Sequence, residues 1–252
     1  MISVAMTAFN GRRFIEAQAA SILSQLAQED ELVVADNGST DGTWQWLTEL
    51  AAADSRVRAL HNTESRGVIA NVEFAVRQCR GELIFLADQD DRWLAGKVNR
   101  IRAVFASSPR VLLVQSDAEL IDESDRPIGP SFYALRDSRP GFWFNFLRNT
   151  YQGCTMAFRR ELLELALPFP ARLPMHDMWF GLLAELAGEV RFIPDRLTAY
   201  RRHGENLSGL KPQRFLQILV WRLDLGRALL GAILCRRPLG WVLRGLAQKG
   251  LR

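Results

Sequence analysis

The sequence predicts an α/β fold: a mostly parallel sheet with helices on both faces, followed by a C-terminal helical appendage. Three observations predict it. Short apolar runs alternate with segments of helical periodicity through the first 115 residues. The central runs are continuously apolar, as in strands buried on both faces. After residue 210 such runs stop, and apolar residues recur among cations instead.

Ile2–Ala8 is the first strand, and Asn10-Gly11 is turn chemistry. Ile15, Ala19, Ile22, Leu23 and Leu26 recur at helical spacing. Leu32–Ala35 is a second strand, and Asp36–Thr43 a polar loop before a helix with Trp44, Leu47 and Leu50. Val57–Leu60 is a third strand, and Gly67–Val76 a helix with Val68, Val72 and Val76 on one side. Leu83–Ala87 is a fourth strand, followed by a helix around Leu94–Phe105 and a strand at Val111–Val114. Right-handed crossovers then bring the loops Asp36–Thr43 and Asp88–Asp91 to one rim.

The stretch Gly81–Trp93, GELIFLADQDDRW, is the centre of this plan. Its apolar strand ends in Asp88, Asp90 and Asp91, where open α/β sheets bind ligands. Crowded carboxylates repel one another unless they share a cation. Oxygen donors suit Mg²⁺ or Mn²⁺, which a diphosphate-bearing substrate would help to hold. The same acids also suit a solvated turn capping the next helix. Likewise Thr40 or Asp41 could simply cap a helix, but that leaves Asp36 and Asn37 at the strand end unexplained. The chain has neither GxGxxG nor GxxxxGK[ST], so dinucleotide and P-loop chemistry lose support.

From residue 118 to 150 the chain is expected as a polar loop region with an aromatic cluster: Phe132, Tyr133, Phe142, Trp143, Phe144, Phe146 and Tyr151. These pack under a loop or line a sugar-binding cleft. A strand at Gly153–Phe158, a helix at Arg160–Leu167, a proline-broken segment, a helix from Met175 to Ala187, and strands at Val190–Ile193 and Leu197–Tyr200 complete this part. The 252 residues divide as 1–117 and 118–210, two halves of one domain, and a tail at 211–252. Cys79, Cys154 and Cys235 lie far apart, which suits a reducing cytosol. No signal peptide and no transmembrane run is expected.

Seven stretches, in order, carry a resemblance: ISVAMTAFNG, VVADNGSTDGT, SRGVIANVEFAV, GELIFLADQDDRW, GCTMAFRREL, HDMW and YRRHGENLSG. Across residues 1 to about 210 the chain resembles family 2 glycosyltransferases of the Rossmann-like GT-A fold. GCTMAFRR, MHDMW and YRRHG are most similar to rhamnosyltransferase-type enzymes of bacterial polysaccharide assembly. The resemblance implies a nucleotide-sugar donor, Mg²⁺ or Mn²⁺, and inverting transfer to a saccharide or lipid-linked saccharide. It places Thr7, Asp36, Asn37, Asn71, Asp88 and Arg201 at the nucleotide sugar, and Asp90 and His203 at the metal. Asn37 stands where the family often has a second acid, and Asp91 is expected as a helix cap or outer support. Asp177 matches the catalytic base, which a poorly nucleophilic hydroxyl needs; read alone it could merely cap its helix. His176 could orient the loop or act as a second base.

The expected donor is dTDP-rhamnose; the alternatives are a UDP-sugar donor, with glucose or N-acetylhexosamine, or a catalytically silent membrane-bound scaffold. The net charge of +4 conceals a tail of nine Lys or Arg and one acid, about +8, on a remainder near −4. Two or three amphipathic helices are expected between Phe215 and Arg252. They suit an anionic membrane surface, or packing on the domain or a second subunit. Nucleic acid is not expected as a partner. A cytoplasmic place at the inner face of the cell membrane follows from a lipid-linked acceptor, and a homo-oligomer is compatible with the sequence.

Overall fold

The structure, a computed structural model, describes residues 1–63, 67–202 and 215–235; in the last helix, the side chains described are those of 220–232 and 234. The strands are β1 (Ile2–Ala8), β2 (Glu31–Asp36), β3 (Val57–His61), β4 (Leu83–Asp88), β5 (Arg92–Trp93), β6 (Val111–Ile121), β7 (Met156–Arg159) and β8 (Glu189–Arg201). The helices are α1 (Ile15–Leu23), α2 (Thr43–Ala53), α3 (Val68–Gln78), α4 (Lys97–Ser107), α5 (Phe132–Arg136), α6 (Phe142–Arg148), α7 (Leu163–Ala166), α8 (His176–Ala187) and α9 (Phe215–Cys235).

The sheet order is β3-β2-β1-β4-β7-β6-β8-β5. β3, β2, β1 and β4 run parallel, as do β6 and β8. β7 runs antiparallel to both β4 and β6, and β5 antiparallel to β8. The expected mostly parallel sheet is a mixed one, with its continuous parallel half where strand–helix alternation is most regular. Alternate residues of each central strand enter opposite cores. Val4, Met6, Phe85 and Ala87 join Ile15, Ile22, Leu47 and Ile101 on one face. Ala5, Val33, Ile84 and Leu86 join Val72, Trp179, Phe180 and Leu225 on the other. Continuous apolar runs are what such two-sided burial demands.

The second half departs from expectation in several ways. β6 runs on to Ile121 instead of ending at Val114, because β8 pairs along its whole length. Buried Gln115 and Asp117 are satisfied internally: Gln115 Nε2 donates to the Thr150 carbonyl at 3.0 Å, and Asp117 Oδ1 accepts from Ala118 and Tyr133 N–H, both at 2.8 Å. The two strands expected at 190–200 are one, with irregular register near Asp117. Helix α4 starts at Lys97, after the short β5. Two short helices, α5 and α6, occupy the expected loop. A 3₁₀ turn at Gly153–Thr155 precedes β7, and another, Arg160–Leu162, leads into a single turn of α-helix. The tail forms one helix over 215–235; residues 236–252 lie outside the described residues. Gly188 links α8 to β8, where an added Cβ would come within 2.7 Å of the Arg110 carbonyl oxygen.

Candidate active site

Parallel register sets the rim: Ala8 lies opposite Asp36, and Thr7 opposite Asp88. Asp36 is buried, and its carboxylate accepts from the Gly38 and Ser39 N–H groups at 3.1 and 3.0 Å and from the Ser39 hydroxyl. Its own loop thus folds around it. Asn37 Oδ1 accepts the Gly67 N–H at 3.0 Å, and its Nδ2 reaches the Asn62 carbonyl at 3.4 Å. Buried Asn71 accepts from Asn62 Nδ2 at 3.1 Å and donates to the Ala35 carbonyl at 2.8 Å. Together Asn37, Asn62 and Asn71 tie α3 to the end of β2, beside Asp36.

The three acids after β4 differ in setting. Asp88 and Asp90 are half-buried, while Asp91 is buried. Burial, then the charges of Asp90 and Asp177, push the Asp88 carboxyl up to about 7. Asp91 is raised well above the carboxylate range by burial and by Asp90 and Asp88. It does not cap α4, whose N-cap is Gly96. Instead Asp91 Oδ1 accepts the Arg201 N–H, and its Oδ2 is buried without a hydrogen-bond partner.

Lys97 lies fully buried behind these acids. Its Nζ donates to the Cys154 carbonyl at 2.8 Å and to Thr198 Oγ1 at 2.7 Å, and stands over the Trp93 ring. Burial pulls it down to about 8, against the opposing influence of Cys154, Asp91 and Asp88. Arg201, also buried, donates through Nε to the Asp90 carbonyl, Nη1 to the Asp122 carbonyl at 2.8 Å, and Nη2 to Asp125 at 2.6 Å. It stacks at 4.7 Å over Phe14. Arg201 therefore clamps the acid-bearing loop to the 122–125 turn.

Asp177 occupies the first turn of α8, after the proline-broken segment. It is nearly buried, and burial is the main cause that raises its carboxyl above the ordinary value. His176, the Met178 N–H (2.6 Å) and Asn149 act in the opposite direction. Burial lowers His176, whose ring packs on Gly153: a Cβ there would lie 2.8 Å from Nε2. That contact joins the α8 N-terminus to the turn carrying Cys154. The aromatic cluster splits: Phe132 and Tyr151 are core, Tyr133 donates its hydroxyl to the Gln115 carbonyl at 2.7 Å, and Trp143 is exposed.

The fold brings Asp88 within electrostatic reach of Asp90, Asp177 and Lys97, and Asp91 and Cys154 within reach of Asp88. Thr7, Asp36, Asn37 and Asn71 occupy the adjoining rim; His203 lies outside the described residues. Among the described residues, Asp88, Asp91 and Cys154 form the one group of ligating atoms within 4.8 Å of each other. Carboxylate oxygens there fit a hard divalent cation, and the orphaned Asp91 oxygen has capacity to accept one. The thiol does not fit: burial drives its ionisation well above the ordinary range, and a thiolate prefers softer metals. In the sequence Cys154 has no site role beyond being one of three widely spaced cysteines, and Lys97 none at all, since a lone Cys and a lone Lys carry no spacing signal.

The family model for "Glycosyl transferase family 2" matches residues 3–166. The chain is 28% identical over 214 residues to an uncharacterized glycosyltransferase of Nostoc, covering 81% of this chain and 66% of that protein. It is 32% identical over 187 residues to an Escherichia coli UDP-Glc:α-D-GlcNAc-diphosphoundecaprenol β-1,3-glucosyltransferase, covering 73% and 70% of the two chains. Its fold matches that of Staphylococcus aureus TarS 1–349 in complex with UDP-GlcNAc, with a TM-score of 0.68, 19% identity, and coverage of 98% and 70%. The chain thus spans about two thirds of the length of these relatives.

Proposed function

Because the chain belongs to glycosyl transferase family 2, we propose that it moves a sugar from a nucleotide donor to a hydroxyl of a saccharide or lipid-linked saccharide, with inversion at the transferred carbon. One observation carries the reading: Asp177, from α8, lies near enough to Asp88, from β4, for its charge to raise that carboxyl. A donor-side acid and a base on an independent element thus lie within electrostatic reach of one another.

The roles follow from the settings. Asp36, Asn37, Asn71 and Thr7 form the rim that receives the base and ribose. On the resemblance, Asp88 contacts the ribose and Asp90 would hold Mg²⁺ or Mn²⁺, with Asp88 and Asp91, whose ligating atoms lie together, as the neighbouring oxygens; when bound, the ion would offset the charge that gathers on the departing diphosphate. Asp177 takes the acceptor proton. Burial raises its affinity for protons above that of an ordinary carboxylate, the direction that suits a general base. Arg201 holds the acid loop in place and adds positive charge behind it. His203 is assigned to the metal or diphosphate on the resemblance alone.

A UDP-sugar, glucose or N-acetylhexosamine, replaces dTDP-rhamnose as the donor we favour. Support comes from the relative named for UDP-Glc and from the neighbour bound to UDP-GlcNAc. The former's diphosphoundecaprenol-linked substrate supports a lipid-linked acceptor here, used at the inner face of the cell membrane. In keeping with the domain plan, residues 1–210 do this chemistry and 211–252 serve its placement. The silent-scaffold reading loses ground because every acid the chemistry needs is present. The test is Mn²⁺-dependent hydrolysis of a panel of nucleotide sugars: UDP-glucose or a UDP-N-acetylhexosamine should be cleaved fastest. Preference for dTDP-rhamnose would restore the other donor, and no turnover of any would leave the scaffold.

A further inference from the structure

Helix α9 is apolar on two opposite faces. Leu225, Leu229 and Ala232 are buried in the same core as Trp179 and Phe180. On the far side, Val220, Leu223, Leu230 and Leu234 are exposed, Leu230 and Leu234 at 61% and 65%. With Arg227 these positions step by three and four residues and fall within an arc of about 80° at 100° per residue. A helix packed on a domain by one face ordinarily turns charged or polar residues to water. This one offers a second apolar stripe broken by one cation.

The stripe continues onto α6. Arg222 Nη2 donates to the Leu147 carbonyl at 3.1 Å, and the Phe146 ring approaches Gly226. Beside that contact Trp143 and Leu147 are exposed at 73% and 70%. Exposed apolar residues gathered on adjoining helices mark a surface that meets something.

We infer that the outer faces of α6 and α9 form one docking surface for an anionic lipid bilayer, with both helices lying in its interface. Charge decides the occupant. Arg227 sits mid-stripe, exposed and 3.8 Å from Asp224, which is itself largely covered, and Arg148 lies beside Leu147, 3.6 Å from Asp137; the uncompensated positive charge comes from the sequence that follows the helix. The sequence after 235 adds Arg236, Arg237, Arg244, Lys249 and Arg252 and no acid. A second copy docked face to face by a two-fold axis through the middle of the stripe would set Arg227 against its equivalent. An anionic lipid surface instead accepts the leucines among its acyl chains and the arginines at its headgroups. No helix among the described residues is long and apolar enough to cross a membrane, so contact is lateral.

The surface lies on the acceptor side. Asn149, which ends α6, hydrogen-bonds Met175 Sδ at 3.3 Å and supports Asp177. The inference therefore deepens the reading of a lipid-linked acceptor: docking by α6 brings the base toward the bilayer.

The test uses the full chain and vesicles of phosphatidylcholine with or without phosphatidylglycerol, in sedimentation without donor or acceptor. Wild-type protein should prefer the phosphatidylglycerol vesicles. Leu223→Ser/Leu230→Ser, which leaves charge unchanged, should weaken that binding by about tenfold. Its circular dichroism and its transfer to a water-soluble acceptor should match wild type. Trp143→Ser/Leu147→Ser should weaken binding similarly, so one poorly folded variant does not decide the matter. Undiminished binding by both variants overturns the inference. So does a wild-type dimer in light scattering that the α9 variant dissolves, which would make a second copy the occupant. A failed donor panel with intact, leucine-dependent vesicle binding would sink the catalytic reading alone.

Discussion

Asp91 Oδ1 accepts the Arg201 N–H at 2.9 Å, and Arg201 Nε returns to the same loop by donating to the carbonyl of neighbouring Asp90 at 2.7 Å. The end of β8 is thereby fastened to the acid loop after β4. A lysine cannot reproduce this fork of three donors to three acceptors. Arg201→Lys should lower stability by about 3 kcal/mol, since it leaves buried groups unpaired. Chemical denaturation measures this; an unchanged midpoint would show that the clamp is dispensable.

The contribution of Asp88 to metal-free stability should fall as pH rises from about 4 to about 7. The Asp88 carboxyl ordinarily titrates at 3.8, but in the folded chain it titrates at about 7. Between those values the folded state keeps a proton that the unfolded state has released, so this group's stabilising effect is complete at low pH and lost through the window. Asp88→Asn should therefore melt about 2–4 °C above wild type at pH 8 without metal, and the gap should close by pH 5. Mn²⁺ at pH 8 should raise the wild-type midpoint more than the variant's. A gap independent of pH would contradict the assignment.

The two acidic roles separate by experiment. Asp177→Asn should cut transfer by about 10²–10⁴-fold while leaving Mn²⁺-dependent UDP binding intact. Asp90→Ala should abolish transfer and also weaken that binding, as calorimetry would detect. Wild-type transfer should rise with pH through the raised Asp177 ionisation. Full transfer by Asp177→Asn would require another base, with His176 the next candidate.

Gly181 faces the Tyr151 ring across α8, and an added Cβ would sit 2.2 Å from Tyr151 Cε2. The ring is buried in the core. Gly181→Ala should cost about 1–3 kcal/mol through overpacking, despite alanine's better helix propensity. A melting temperature at or above wild type would mean that the ring moves aside freely.

Much of this arrangement was legible in the residues. The first 115 residues alternate apolar runs and helical periods because each strand is covered on both faces, and a strand of that kind has no polar side to confuse the reading. Asp36, Asp88 and Asp90 stood out because acids abruptly end apolar runs. The extension of β6 was hidden because Gln115, Ser116, Asp117 and Glu119 look like loop, yet partners remote in sequence satisfy Gln115 and Asp117. Helices α5 and α6 are too short to show a period. Lys97 read as an ordinary helix residue; only the fold sets it 57 positions from its partner Cys154, behind the acids. Of the two expectations for Asp91, helix cap or outer support, a glycine takes the first place and the acid turns inward to β8, in keeping with the second.

The tight passage at Gly188 has a further consequence. Asp177 opens the helix that enters this corner, and Arg201 closes the strand that leaves it. With Arg110 pressed against the corner, helix and strand have little freedom to slide past one another, so Asp177 and the clasp behave as opposite jaws of a calliper whose span is fixed at its pivot. Lengthening this corner by a residue would throw both jaws out of alignment at once, whereas the 122–131 segment lies outside that span.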